Sequence, residues 1–326
     1  MKKYVAAVML VVCLLLIACD GRSPERKEGA LRWGRDSSMT DDTILLTIDG
    51  REVPAWRYLY WLAYTCQRVQ ERYQASGLPL DWETPVSGGT LADYVKDQAL
   101  ADTALYATVE NWAEKYDCTV TAEAARNETS YLPDMGLTAE QMAELERVGR
   151  MYAALYELYC TEGSQLAPTD EALTAYGESV GAVTLEELLV PFGEDRAAAQ
   201  SRAAELFARI NGAEDQSAVF SALMAEYSAA SGPQTVWPGE ERAEVFEAVR
   251  LLGEGQCSGI LETEAGFSIL RRLPLELSAL KEGYFDELLQ TAAEQSAVTT
   301  MPEYAELDPA AFAAETLSEQ KTDLKE

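Results

Sequence analysis

The stretch GQCSGILETEAGFSILRRL, residues 255–273, decides the fold, because it has the pattern of two strands joined by a turn. Its TEAG tetrapeptide, residues 263–266, separates two short runs that are rich in apolar side chains. A third strand is predicted at VTLEELLV, residues 183–190, and apolar periodicity predicts helices between it and the hairpin. Strands separated by consecutive helices indicate an α+β domain, which we place at residues 182–275.

The sequence predicts helices on both sides of this domain. Apolar side chains recur every three or four residues in three segments between residues 56 and 159, and again through residues 277–297. We therefore predict a helical domain built from residues 44–178 and 277–307. The last residues, 308–326, are predicted to form an acidic tail.

The beginning of the chain has the order of a bacterial lipoprotein signal. Two lysines precede an apolar run, residues 5–17, that is shorter than a membrane-spanning helix requires. The run ends in Leu-Ile-Ala before Cys19, which resembles a lipobox. The pattern predicts a signal peptide at residues 1–18, a lipid on Cys19 and a polar tether at 19–43. The folded part would then lie outside the cytoplasm, anchored to the bacterial cell membrane.

The composition restricts the chemistry and the partners. The chain has 55 Asp and Glu against 26 Lys and Arg, a formal net charge of −29, which repels nucleic acid. It contains no histidine, which excludes histidine general bases, histidine zinc ligands and nucleophiles that histidine activates. We therefore predict no nucleic-acid partner, no metal and no cofactor.

Four cysteines follow Cys19, and none of them has the CxxC spacing of zinc or thioredoxin-like sites; they are Cys66, Cys118, Cys160 and Cys257. Cys66 and Cys160 lie within helical apolar patterns, so we interpret them as buried thiols. A compartment outside the cytoplasm would also permit a disulfide, and the redox state of the four stays open.

Four short segments stand in the order of a known protein family: ILLTIDGREVP at 44–54, PTDEALTAY at 168–176, VFSALMAEYS at 219–228 and TEAGFSIL at 263–270. Together they resemble the extracytoplasmic foldases of the PrsA and SurA type. The first is similar to the family's opening strand and turn, and the second to the helix that leads into its isomerase domain. The last two are similar to segments of its parvulin peptidyl-prolyl isomerase domain. The resemblance implies a SurA-like helical chaperone domain with a parvulin-like α+β domain inserted in it.

The resemblance also places the isomerase site, where this chain departs from the family. Glu187 and Ser268 stand at the positions of the two histidines of an active parvulin, and Ala229 or Ala230 at the position of a thiol or carboxylate. We therefore expect a site that lacks the catalytic residues of an active parvulin, with Glu187, Ala230 and Ser268 as its degenerate positions.

Three further residues are candidates for contact with a client or with its proline. Phe246 is the clearest remaining member of the apolar pocket that holds a proline ring in parvulins. Thr263 keeps its place in the family pattern, and Trp237 ends a shortened turn that is Gly-rich in the family.

From the resemblance we expect a membrane-anchored, extracytoplasmic chaperone that binds unfolded or extended secreted polypeptides through a domain with little isomerase activity. Two alternatives stay open. One is an active isomerase with an atypical site, since rotation about a peptide bond needs no covalent step. The other is a non-catalytic subunit of an envelope complex.

Overall fold

The computed structural model describes residues 39–118, 120, 132–133, 135–227, 232–239 and 242–322. Its first elements are β1 (Ile44–Ile48), β2 (Arg51–Pro54), α1 (Ala55–Ala75), β3 (Pro85–Val86), β4 (Gly89–Thr90), α2 (Leu91–Lys115) and α3 (Ala139–Cys160). The next are α4 (Asp170–Val180), β5 (Val183–Pro191), α5 (Arg196–Asn211), α6 (Gln216–Tyr227), β6 (Gln234–Val236), α7 (Ala243–Val249), β7 (Cys257–Glu262) and β8 (Gly266–Leu273). The last are α8 (Leu277–Glu294), β9 (Val298–Thr300), α9 (Pro302–Ala305) and α10 (Pro309–Thr322). The predicted α+β class is confirmed.

The described chain forms two compact units. The helical unit contains the described residues up to Leu158 and those from Leu288 onward, and the sheet unit contains Tyr159–Glu287. This division assigns α4 and the first part of α8 to the sheet unit. The division does not test whether residues 182–275 fold as an independent inserted domain, so the domain boundaries stay a prediction.

The helical unit is organised around α1. The first nine residues of this helix, 55–63, are all buried, and the helix contacts both α2 and α10. A small antiparallel sheet in the order β2-β1-β9 completes the core, where Leu45, Leu46 and Ile48 are fully buried. Residues from both ends of the described chain therefore share one core.

The helix α10 corrects the prediction that residues 308–326 form only an acidic tail. Phe312 is 2% exposed and packs with Ala313 in the core of the helical unit. Removing an aromatic side chain from water stabilises a fold by about 2 kcal/mol, which is enough to hold a short helix against its neighbours. The burial of Phe312 was not predicted because the segment around it is acidic.

A buried ion network ties three helices of this unit together. The guanidinium of Arg57, which is 3% exposed, donates two hydrogen bonds to the Glu110 carboxylate, at 2.7 and 3.1 Å, and one to Glu144 at 2.8 Å. These residues lie on α1, α2 and α3. Because a buried charge without a partner is costly, the three helices are held in one relative position.

The sheet unit is built on four antiparallel strands in the order β6-β5-β8-β7. Side chains on a strand alternate between the two faces of a sheet. Leu188 and Ile269 point to the face covered by α5 and α6, and they pack with Leu206, Phe220 and Leu223. Leu185 and Leu270 point to the other face, where they pack with three residues of α7: Val245, Phe246 and Val249.

The cysteines agree with the sequence analysis at one of two positions. Cys66 is buried, as predicted, and burial raises the pKa of its thiol to about 12. The prediction for Cys160 is wrong, because this residue ends α3 and is exposed, beyond the last buried side chain of the apolar stripe at Tyr159. All four described cysteines are free thiols.

Candidate functional site

Glu187 and Ser268 meet on the sheet face that α7 covers. In the antiparallel pairing of β5 with β8, Glu187 lies opposite Leu270 and Leu189 lies opposite Ser268. This register makes Glu187 and Ser268 diagonal neighbours on one face, within reach of each other. The Ser268 hydroxyl donates a hydrogen bond of 2.5 Å to Oε1 of Glu187. The two degenerate parvulin positions therefore form one contact.

Arg242 closes this pair from the side of α7. It is the residue before the first turn of that helix, and its Nη2 donates to Oε1 of Glu187 at 2.7 Å. The side chain of Glu187 is 7% exposed and that of Arg242 is 38% exposed, so the arginine lies between the carboxylate and solvent. We call these three residues the closed cluster. Sequence reasoning missed Arg242, since nothing in its local pattern distinguishes it from a surface arginine.

The charge state of Glu187 follows from its partners. Burial alone would raise the pKa of this carboxyl, but the hydrogen bonds from Arg242 and Ser268 and the positive charge of Arg242 outweigh burial and lower it. Glu187 is therefore ionised at neutral pH. A general base works best when its pKa lies near the operating pH, so a carboxylate with a lowered pKa is a weak base.

Access limits the closed cluster further. Ser268 is fully buried, and Oε1 of Glu187 already accepts two hydrogen bonds. Prolyl isomerisation requires a peptide to be held in an apolar site beside fixed polar partners, with a barrier of about 18–20 kcal/mol to be lowered. The buried pair of Glu187 and Ser268 therefore offers a peptide no apolar surface, and the Ser268 hydroxyl is already used as a donor.

Thr263 forms hydrogen bonds within the turn between β7 and β8. Its backbone N–H donates to the carbonyl of Gly266 at 2.8 Å, and its hydroxyl accepts from the Gly266 N–H at 3.3 Å. Gly266 itself approaches β5 so closely that a Cβ would lie 2.2 Å from the carbonyl oxygen of Val190. The Thr263 side chain therefore stabilises a tight turn whose last residue, Gly266, has no room for a Cβ.

Phe246 and Trp237 lie in different clusters of the sheet unit. Phe246 is 9% exposed and packs with the α7-face residues Val183, Leu185 and Leu270. Trp237 follows β6 and is partly buried against Tyr176 and Leu280. The structure thus does not bring Phe246, Thr263 and Trp237 together into one pocket. Ala229, Ala230 and Cys19 lie outside the described residues.

An open pocket lies at the other end of α7. Its volume is about 580 Å³, within the range of sites that bind small ligands or a few side chains. The edge of Phe246 reaches it, together with residues of α4, β8 and the start of α8; the apolar lining residues are Ala182, Val183, Phe246, Pro274, Leu275 and Leu277. We call this the α7 pocket. Sequence reasoning missed it, since its walls are about a hundred residues apart in the chain.

Two kinds of site are not found in the part of the chain that the structure describes. No group of three or more Asp, Glu or Cys side chains there is placed to hold a metal ion. No described helix is long and apolar enough to cross a membrane.

No protein-family model matches the chain, and neither does any curated protein. Among solved structures, the chain is similar to the peptidylprolyl isomerase PrsA from Bacillus cereus, with 15% identity, 86% of this chain and 93% of that chain covered and a TM-score of 0.26. PrsA from Bacillus subtilis is 14% identical, with the same coverage and a TM-score of 0.25. A SurA-like chaperone from Campylobacter jejuni is 12% identical, with 76% of this chain and 91% of that chain covered and a TM-score of 0.24.

Proposed function

We propose that the protein is an extracytoplasmic chaperone of the PrsA and SurA type, which binds unfolded or extended secreted polypeptides and does not efficiently isomerise them. One observation carries this proposal. The face of the sheet that would hold an isomerase site has a closed, charge-paired cluster at one end of α7 and an open apolar pocket at the other. Such a face offers binding without catalytic groups.

The proposed organisation follows the sequence motifs. Residues 44–178 and 277–307 form the helical chaperone domain, with the parvulin-like domain, residues 182–275, inserted between them. The core shared by α1 and α10, together with the pairing of β9 with β1, supports a helical domain assembled from distant segments. Lipidation at Cys19 would hold this assembly at the outer surface of the cell membrane, where newly secreted chains emerge.

One observation favours the active isomerase as a second candidate. Phe246 borders an open pocket, and an aromatic edge beside a cavity could receive a proline ring. Isomerisation needs no nucleophile, so the absence of histidine does not exclude it. Against it stands the burial and mutual pairing of Glu187 and Ser268, the two residues at the positions of the parvulin histidines.

The chaperone proposal is tested by aggregation of an unfolded client. The full chain, purified in mild detergent, is mixed with a chemically unfolded protein on dilution, and light scattering is recorded. We expect scattering to fall as the chain approaches an equimolar ratio to the client, with no requirement for a nucleotide. Scattering unchanged at a several-fold excess of the chain would refute the proposal.

The anchoring proposal needs its own test. Cys19→Ala should block signal processing or release the protein from membranes in a bacterial host, whereas Cys66→Ala, a buried thiol elsewhere, serves as the matched control. Membrane retention and processing that are unchanged in Cys19→Ala would contradict lipidation.

A further inference from the structure

The α7 pocket is distinct from the closed cluster. Arg242 precedes α7 and Arg250 follows it, so their Cα atoms are about 12 Å apart at the helical rise of 1.5 Å per residue. Neither Glu187 nor Ser268 lines the pocket. We call its apolar lining residues the floor of the pocket; Thr174 and Glu178 of α4 also line it.

The charged residues at the rim of the pocket differ in what they already bind. Arg272 Nη1 donates to the carbonyl of Leu252 at 2.6 Å and to that of Arg250 at 3.3 Å. Arg250 Nε donates to Glu247 at 2.7 Å. Arg250 is therefore paired with a carboxylate, whereas Arg272 is held by backbone carbonyls and keeps its positive charge at the rim.

The two rim carboxylates are not engaged in this way. Glu178, near the end of α4, and Glu254, after α7, are exposed and line the pocket. Within the described residues, no hydrogen bond or ion pair holds either of their side chains. The pocket thus presents an apolar floor and two available negative charges, on a chain whose formal net charge is −29.

We infer that the α7 pocket is a client-binding site, selective for extended polypeptide segments in which apolar side chains are flanked by Lys or Arg. The inference rests on the proposed chaperone function and deepens it. Apolar side chains fill the floor beside Phe246, Pro274 and Leu277. Neighbouring basic side chains pair with Glu178 and Glu254, and electrostatic complementarity of this kind selects partners and speeds their encounter.

The peptide specificity tests this assignment directly. Three labelled peptides are compared by fluorescence anisotropy with the full chain in mild detergent. The first has an apolar centre flanked by lysines, the second has the same centre flanked by glutamates, and the third has lysine flanks around a serine centre. We expect the first to bind at least about five-fold more tightly than either of the others, because the second loses both rim pairs and the third has no apolar side chain for the floor.

Charge reversal at the rim should invert the preference between the first two peptides. The variant Glu178→Lys/Glu254→Lys is compared with Glu194→Lys/Glu264→Lys, which changes the net charge equally at exposed glutamates that do not line the pocket. Leu277→Ser should weaken both apolar peptides, whereas Leu251→Ser, at a leucine that is 73% exposed and outside the lining, should not. Circular dichroism melting of each variant identifies any loss of fold.

The outcomes separate this inference from the chaperone proposal. If the chain suppresses aggregation but binds all peptides equally, or if both double variants act alike, the pocket assignment is wrong and the chaperone proposal stands. If the chain neither suppresses aggregation nor binds any peptide, both are wrong. Inversion of the preference only in Glu178→Lys/Glu254→Lys supports the assignment.

Discussion

The two ends of α7 lie over the same face of one sheet, but one end covers the closed cluster and the other borders the α7 pocket. At its beginning, Arg242 reaches down to a buried carboxylate and completes the closed cluster. At its end, Arg250 turns to an exposed partner on its own helix, Glu247, and leaves an open apolar floor beside Phe246. The two arginines that flank α7 are thus directed differently, Arg242 inward to a buried carboxylate and Arg250 to an exposed one beside the pocket.

The largest effect is expected for Phe246, which belongs to the open end and also to the core. Phe246→Ala should reduce the free energy of unfolding by about 3 kcal/mol, because the ring packs among buried residues of β5, β8 and α7. Leu251→Ala, at an exposed leucine nearby, should change it by less than about 0.5 kcal/mol. Urea unfolding followed by circular dichroism measures both. Similar values for the two variants would show that Phe246 is not a core residue.

The two arginines give the next largest contrast. Arg242→Ala removes the partner of a buried carboxylate and should cost about 2 kcal/mol, which is reduced from the full cost of breaking a buried pair because Arg242 is partly exposed. Arg250→Ala removes an exposed pair and should cost much less than Arg242→Ala. The comparison fails if the two losses are equal.

A triple variant identifies the origin of the Arg242 effect. Glu187→Leu/Ser268→Ala/Arg242→Ala removes the buried charge together with both of its partners, so most of the stability lost in Arg242→Ala should return. No recovery would mean that Arg242 contributes by packing rather than by pairing with Glu187.

Much of this architecture could be predicted from the sequence. The apolar runs in residues 183–190 and 255–273 predict three of the four strands of this sheet, and the family resemblance selects Glu187 and Ser268, which the structure then places on one face. Local patterns suffice for the strands themselves and for the β7–β8 hairpin, because the pairing in a hairpin is determined by the turn and the residues beside it.

The features that the sequence did not reveal depend on contacts between distant residues. Arg242 acquires its role only because β5 and β8 bring a carboxylate beneath it. The α7 pocket joins Glu178 to Leu277 across most of the sheet unit. The burial of Phe312 could not be read from its acidic segment, because it depends on packing with α1, more than two hundred residues earlier.

The pH dependence of stability should distinguish Glu187 from a second buried carboxylate. Asp102 in the helical unit is also 7% exposed, yet burial raises its pKa to about 6, since a hydrogen bond from Gln98 and the charge of Arg68 offset burial only in part. Equal burial therefore leads to opposite shifts, and the partners decide the direction.

These shifts have opposite signs for stability. The raised pKa of Asp102 gives stability that is present below about pH 4 and lost as pH rises towards about 6. The lowered pKa of Glu187 gives stability that is present above the unfolded value of about 4.3 and lost as pH falls through the folded value. Asp102→Asn should gain roughly 1–2 kcal/mol at pH 7 and nothing at pH 3. Glu187→Gln should lose more stability at pH 7 than at pH 3. Urea unfolding of both variants at the two pH values measures these changes. A loss for Asp102→Asn at pH 7, or a larger loss for Glu187→Gln at pH 3, would contradict the prediction.

The smallest effect is expected from restoring the histidines of an active parvulin. Glu187→His/Ser268→His should not accelerate prolyl isomerisation, because Arg242 still covers these positions and its charge disfavours a protonated imidazole beside it. Adding Arg242→Ala to this pair provides the control with the cover removed. A protease-coupled peptide assay measures both, and strong acceleration by the histidine pair alone would contradict the structural role given to Arg242.

The central claim is that this protein binds polypeptides at one end of α7 and performs no efficient isomerisation at the other. The most direct test is magnetisation-exchange NMR of a proline-containing peptide that binds the chain, which reports binding and the rate of cis–trans exchange in one sample. We expect line broadening from binding, whereas cis–trans exchange should keep its uncatalysed time constant of roughly tens to hundreds of seconds. A catalysed exchange rate that is lost in Arg242→Ala or Phe246→Ala, while binding persists, would contradict it.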